Sequence, residues 1–160
     1  MRIDILRGKE KMKRTIIALI LLSSWTFTEA GAMTQDEMEK AVAGIVDIEE
    51  AKKGYVVFEH KNVKMALISD VDHDRMRIIA PITKYSEITL DQVKKMMESN
   101  FHKALDARYA ESNDVLYSAF IHPMSPLSET ELIKALDQVA TLALTFGTSY
   151  TSGELSYGGK

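Results

Sequence analysis

Apolar and polar positions follow two different periods along this chain, and the switches between them divide it into elements. Met38, Ala41, Val42 and Ile45 recur at helical spacing, as do Val93, Met96, Met97 and Phe101, with Lys94, Lys95 and Glu98 turned to water. A third set runs Leu132, Ile133, Leu136, Val139, Ala140, Ala143, Leu144 and Phe146, and Gly147 is placed to stop it. Thr34 stands three residues before Glu37, Thr89 three before Gln92, and Ser128 three before Glu131. Each pair is a capping box, in which the hydroxyl takes an orphan backbone N–H and the acid or amide reaches back to the cap residue. Three helices are therefore expected, the first ending near Asp47.

Between the first two helices the period shortens to two. Gly54–Phe58 is rich in β-formers, His60-Lys61-Asn62 reads as a turn, and Val63–Ile68 follows. After the polar block Ser69–Asp74, Arg75 and Arg77 alternate with Met76 and Ile78 in a strand with one wet face that runs to Ile82. Beyond the second helix, Asp106–Ala110 and Val115–Ile121 flank a turn at Glu111–Asp114, and Pro123 and Pro126 separate them from the third helix. The order is α-β-β-β-α-β-β-α. Short links between consecutive strands imply hairpins, hence an α+β fold with an antiparallel sheet of about five strands packed with three helices.

The N-terminal part has a different organisation. Lys13-Arg14 precedes the apolar run Thr15–Leu22, Ser23-Ser24-Trp25 closes it, and small residues follow at Ala30 and Ala32. These are the parts of a cleavable export signal, expected over residues 1–32, with cleavage after Ala30 or Ala32. The run is about half the roughly twenty residues a membrane span needs, so no membrane anchor is expected after cleavage. Met12 gives a more compact start, Met-Lys-Arg directly before the run, than Met1 does. The expected location is periplasmic or secreted. Residues 33–147 then form a single domain, and the Gly-, Ser- and Tyr-rich stretch 148–160 is expected to be a flexible tail.

Charge and cysteine usage narrow the chemistry. The whole chain has a formal net charge of −3, and six of its basic but only three of its acidic residues fall within 1–30. The remainder carries −6, a poor balance for neutralising phosphates, so no nucleic-acid partner is expected. The chain contains no cysteine, which excludes disulfides, thiolate metal sites and a cysteine nucleophile.

Particular residues then bring a family into view. Asp74-Arg-Met-Arg-Ile-Ile-Ala-Pro-Ile82 resembles the strand that enters the central helix in the YbjN family. Ser99-Asn100-Phe101, Ala107–Ala110, Val115-Leu116-Tyr117 and the Ser-Glu-x-Glu-Leu-Ile start at Ser128 resemble the same domain further along. That family shares its fold with the type III secretion chaperones, and the resemblance spans about residues 34–146. It implies a non-enzymatic domain, often dimeric, that binds a protein partner or has a loosely defined regulatory role. The secretion chaperones are cytosolic, whereas an export signal is expected here, so loading an effector for a cytosolic ATPase is not implied.

No catalytic constellation competes with this. Asp70, Asp72 and Asp74 alternate like the start of a calcium loop, but the sixth position is Arg75 instead of glycine and the twelfth is Pro81 instead of glutamate. The string reads first as a polar hairpin turn, and an ion- or ligand-sensing loop is the alternative. His60, His73, His102 and His122 show no metal-ligand spacing, and Ser149 lacks the second glycine of a nucleophile elbow. A hydrolase with a fold-assembled site is the remotest alternative; no enzyme activity and no cofactor are expected. The expected function is protein binding, to a partner or to a second copy as a homodimer. Met96 and Met97 of the second helix and Leu142, Leu144 and Phe146 of the third are the candidate contact residues.

Overall fold

A computed structural model describes residues 33–153. The helices are α1 (Gln35–Ala43), α2 (Leu90–His102) and α3 (Glu129–Leu144), and the strands are β1 (Ile48–Lys52), β2 (Tyr55–His60), β3 (Val63–Asp70), β4 (Arg75–Lys84), β5 (Arg108–Ser112) and β6 (Val115–His122). All three capping boxes are formed, each with the hydroxyl accepting from the third helical N–H and the acid or amide returning to the cap N–H. The fold class is the expected α+β arrangement, with six strands in the spatial order β1-β2-β3-β4-β6-β5, every neighbouring pair antiparallel.

The additional strand, β1, corrects the expected count of about five. Its sequence Ile-Glu-Glu-Ala-Lys has no buried face to impose a period of two, and its pairing with β2 is irregular between Ile48 and Glu50. Charge and a bulge are the usual protections of a sheet edge, and they also erase the strand signal. Gly54 then turns the chain into β2 at φ 80°, where a Cβ would lie 2.8 Å from the Gln35 Nε2. The other tight turns use non-glycine residues at positive φ: Lys61 and Asn62 between β2 and β3, Asn113 and Asp114 between β5 and β6. Two successive left-handed residues give the turn twist that matches paired strands.

One face of the sheet is the core. Val56, Phe58, Met65, Leu67, Met76, Ile78, Ala80, Leu116 and Phe120 point toward the helices, and α3 lies across the strands with Leu132, Leu136, Val139 and Leu142 fully buried. Met38 and Val42 of α1 pack into the same cluster. At its far end Tyr109, Phe146 and Tyr150 form a mutually edge-on trio with ring centroids 5.7–6.1 Å apart. The Tyr109 hydroxyl donates to the Leu142 carbonyl at 2.9 Å, and burial pushes that phenol's pKa well above its ordinary value.

The expected flexible tail is corrected over residues 148–153. Tyr150 and Ser152 are buried, the Ser99 hydroxyl donates to the Tyr150 carbonyl, and the Leu105 N–H donates to Ser152 Oγ. This segment straps the end of α2 to the end of α3. Its small polar residues look like a tail in sequence, yet Thr148, Thr151 and Ser152 hydrogen-bond the Thr145 and Lys103 carbonyls and the Leu105 N–H at the ends of the two helices. Residues 154–160, and the whole of the expected export signal over 1–32 with Met12 inside it, lie outside the described residues.

Candidate protein-interaction surfaces

Helix α2 buries little. Met96 and Ser99 face the core, and Val93 and Asn100 are half-buried beside them. Leu90, Met97 and Phe101 are 87%, 64% and 78% exposed. Their spacing of seven and then four residues places them on one stripe, about 100° round the helix from Met96. Lys94 sits on the same stripe and lies 3.9 Å from Glu98, while Lys95 and Asp91 pair at 2.7 Å on its flank. Three large apolar side chains in a row on a small domain are the composition of a contact surface.

The structure redistributes the candidate contact residues. Met97 is on the stripe, and Leu144 is also exposed, at 59%. Met96 and Leu142 are core residues, and Phe146 is half-buried in the aromatic trio. Leu90 and Phe101 are contact candidates that helical periodicity alone did not distinguish. Phe101 shares the period of Val93 and Met96 and was expected inside. It projects outward because β5 approaches α2 along the Asn100 side, leaving nothing to cover Phe101.

The second surface is the face of the sheet turned away from the helices. Here the register aligns Tyr55, Ile68, Arg77 and Ile121 across four strands, and Val57, Ala66, Ile79, Ala119 and Arg108 across five. Ile121 is 61% exposed, and Arg75 and Arg77 are exposed beside it. At one end of this face the strands and the β1–β2 turn enclose a depression of about 660 Å³ lined by Lys53, Ile68, Asp70, His73, Arg75 and Arg77 among others.

The acidic string between β3 and β4 is a turn whose carboxylates point to separate partners. Asp70 receives the His73 backbone N–H and lies 2.8 Å from His73 Nδ1. Asp74 receives the backbone N–H and hydroxyl of Ser125 at 2.8 and 2.7 Å. Hydrogen bonds from His73 and from Ser125 hold the Asp70 and Asp74 carboxyls below their ordinary pKa. Among the described residues no three His, Cys, Asp or Glu side chains are grouped to hold a metal ion.

The histidines are engaged locally. His60 Nε2 lies 2.7 Å from Asp137 Oδ1, which Lys61 also contacts, and His122 Nδ1 lies 2.7 Å from the Pro123 carbonyl. His102 packs edge-on against Phe101. Burial raises the Asp137 pKa, but the hydrogen bonds from Lys61 and His60 outweigh it and leave the carboxyl below its ordinary value. Ser149 is exposed and stands in the strap between Tyr150 and Thr148.

The fold has solved counterparts. The chain is similar to a chain from the HopA1–SchA chaperone–effector complex, with 10% identity, a TM-score of 0.54, and 70% of this chain and 88% of that one covered. It is similar also to a chain from the complex of the Yersinia pestis type III secretion chaperone SycH with a stable fragment of YscM2. Identity there is 15%, the TM-score 0.54, and coverage 71% of this chain and 98% of that one. The domain therefore has the α+β fold of type III secretion chaperone complexes. No protein-family model and no curated protein matches the sequence.

Proposed function

We propose that the chain is a non-enzymatic protein-binding module that works as a pair of copies joined through α2. The observation that carries this is the stripe Leu90–Met97–Phe101, apolar and exposed on a helix whose opposite side is already packed. An antiparallel two-fold pairing would set Leu90 of one copy against Phe101 of the other and bring Lys94 within reach of Glu98 across the axis. An isologous contact of this kind buries the same patch twice and closes without leaving a free edge. The chaperone-like fold supports a role in holding another polypeptide, because the solved chains it resembles come from complexes of a chaperone with a bound protein.

Export and kinship with the YbjN family belong to the same proposal. They are supported by the Lys13–Leu22 run with its small residues at 30 and 32, and by the strand and helix residues named above. An exported homologue of a chaperone fold would hold its partner in the periplasm or outside the cell. Sedimentation of the purified chain across a range of concentrations tests the pairing. A dimer that Met97→Glu or Phe101→Glu converts to monomer is expected, whereas a wild-type chain that stays monomeric at high concentration would rule the pairing out. N-terminal sequencing of the chain recovered outside the cytoplasm should begin at residue 31 or 33.

A further inference from the structure

The face of the sheet that no described helix covers carries unpaired basic side chains on a chain that is net acidic. Of the acidic residues on this face, Glu49 pairs with Lys64 at 2.6 Å and Glu50 with Lys52, Asp70 lies 2.8 Å from His73 Nδ1, and Glu59 stands opposite Lys64. Among the described residues Lys53, Arg75, Arg77 and Arg108 make no ion pair. Arg75 and Arg108 hydrogen-bond only backbone carbonyls, of Asp74 and of Leu105 and Ala107 respectively. Arg77 stands in register between Ile68 on one side and Ile121 on the other, a guanidinium in the middle of an apolar row.

The relief of the face has a direction. Ala66 and Ala119 flank Ile79 in one row, and the bulkier Tyr55, Ile68 and Ile121 stand in the next, about 7 Å away along the strands. The smaller row is a shallow trough crossing the strands, with Arg108 at one end and Arg77 on its wall. An extended peptide laid in it crosses strands about 4.8 Å apart and presents alternate side chains to the sheet and to the rim. Its carboxylates would receive paired N–H groups from Arg77 on β4 and, two strands further across, from Arg108 on β5, and apolar side chains would cover Ile79 and Ile121.

We propose that this sheet face binds an extended, acidic, amphipathic segment of a partner protein, with Arg77 and Arg108 holding its carboxylates and the Lys53–Arg75 depression taking an acidic end. The inference extends the binding-module proposal by giving the partner's chemistry, and it does not depend on pairing through α2. A polyanion such as nucleic acid fits worse. Glu59 lies on the rim, the remaining carboxylates are interspersed with the arginines, and an isoleucine floor offers bases little to stack on.

The test uses the full chain and a fluorescein-labelled dodecapeptide alternating leucine and glutamate, followed by polarisation. Saturable binding that weakens as salt is raised is expected, and a lysine-for-glutamate twin should not bind. Arg77→Glu should weaken binding by about tenfold or more, and Ile121→Thr by a smaller factor, while Lys40→Glu, on the exposed side of α1, should leave it unchanged. Equal binding of both peptides, or loss on Lys40→Glu as large as on Arg77→Glu, would overturn the proposal. So would tighter binding of phosphatidylglycerol vesicles or single-stranded oligonucleotide than of the acidic peptide. Each of these results is independent of whether the chain sediments as a dimer.

Discussion

The side-chain amide of Asn100 makes both hydrogen bonds that a neighbouring strand would make with Tyr109. Its Oδ1 accepts from the Tyr109 N–H at 2.8 Å, and its Nδ2 donates to the Tyr109 carbonyl at 3.2 Å. Strand β5 is the outer strand on this side of the sheet. The two-residue turn Asn113–Asp114 makes Ser112 and Val115 a hydrogen-bonded pair, so Ala110 and Arg108 also bond to β6, and the residues between them, Glu111 and Tyr109, have their backbone groups facing out. Asn100 therefore caps a sheet edge as a serine caps a helix. Asn100→Leu is expected to destabilise the fold by about 2 kcal/mol, because two half-buried backbone groups lose their partners. Asn100→Asp keeps the acceptor, loses the donor and should fall between. Urea unfolding with an unchanged slope checks both, and the leucine variant should also aggregate more readily as the edge opens.

The adjacent methionines Met96 and Met97 should behave as opposites. Met96 is buried among core residues and Met97 projects from the exposed stripe. Met96→Ala is expected to cost about 2–4 kcal/mol through lost burial and the cavity left behind. Met97→Ala should leave the unfolding midpoint within about 0.5 kcal/mol of wild type and weaken self-association instead. Thermal unfolding at low protein concentration, paired with sedimentation at high concentration, separates the two effects.

How much of this was legible in the sequence depended on whether a feature is local. The capping boxes at Thr34, Thr89 and Ser128 involve residues three apart, and all three formed as expected. The alternation of Arg75, Met76, Arg77 and Ile78 fixed the faces of β4 because one face meets the helices and the other meets water. Strand β1 was invisible because its pairing partner, not its own side chains, makes it a strand. The strap at Tyr150 was read as a tail because its burial comes from Tyr109 and Phe146, remote in sequence. The α2 stripe needed the structure as well: periodicity places Phe101 near Met96 but does not say how far round the helix the core extends.

The caps give a pH dependence of known sign. The backbone and side-chain hydrogen bonds of Thr34 hold Glu37 below its ordinary pKa of 4.5, and the side chain and backbone of Ser128 do the same for Glu131. A folded-state value below the unfolded one adds stability that is fully present above the unfolded value and is lost as pH falls through the folded one. The fold should therefore weaken below about pH 4.5. Glutamine keeps the geometry of the box and does not titrate. The double variant Glu37→Gln/Glu131→Gln should thus show a flatter loss of stability between neutral pH and pH 3 in urea unfolding. Ser128→Ala, which removes the hydroxyl itself, should cost about 1 kcal/mol at every pH.

Ser118 places a polar side chain inside the core without a partner. It lies on the helix side of β6, in register with Ala80 and Tyr109, and its buried hydroxyl has no hydrogen-bond partner among the described residues. A hydroxyl stranded in an apolar interior costs about 1–3 kcal/mol, more than the contacts of one oxygen atom return. Ser118→Ala should accordingly leave the fold as stable as wild type or raise it by about 1 kcal/mol. Ser118→Val tests whether the site has spare room. Valine puts one methyl in the place of the hydroxyl and adds a second beside the fully buried Ala80, and overpacking of that kind costs about 1–3 kcal/mol. Urea unfolding of the two variants decides the matter. If the alanine variant is the less stable by more than about 1 kcal/mol, the hydroxyl is satisfied by a bound water that the serine holds in the core.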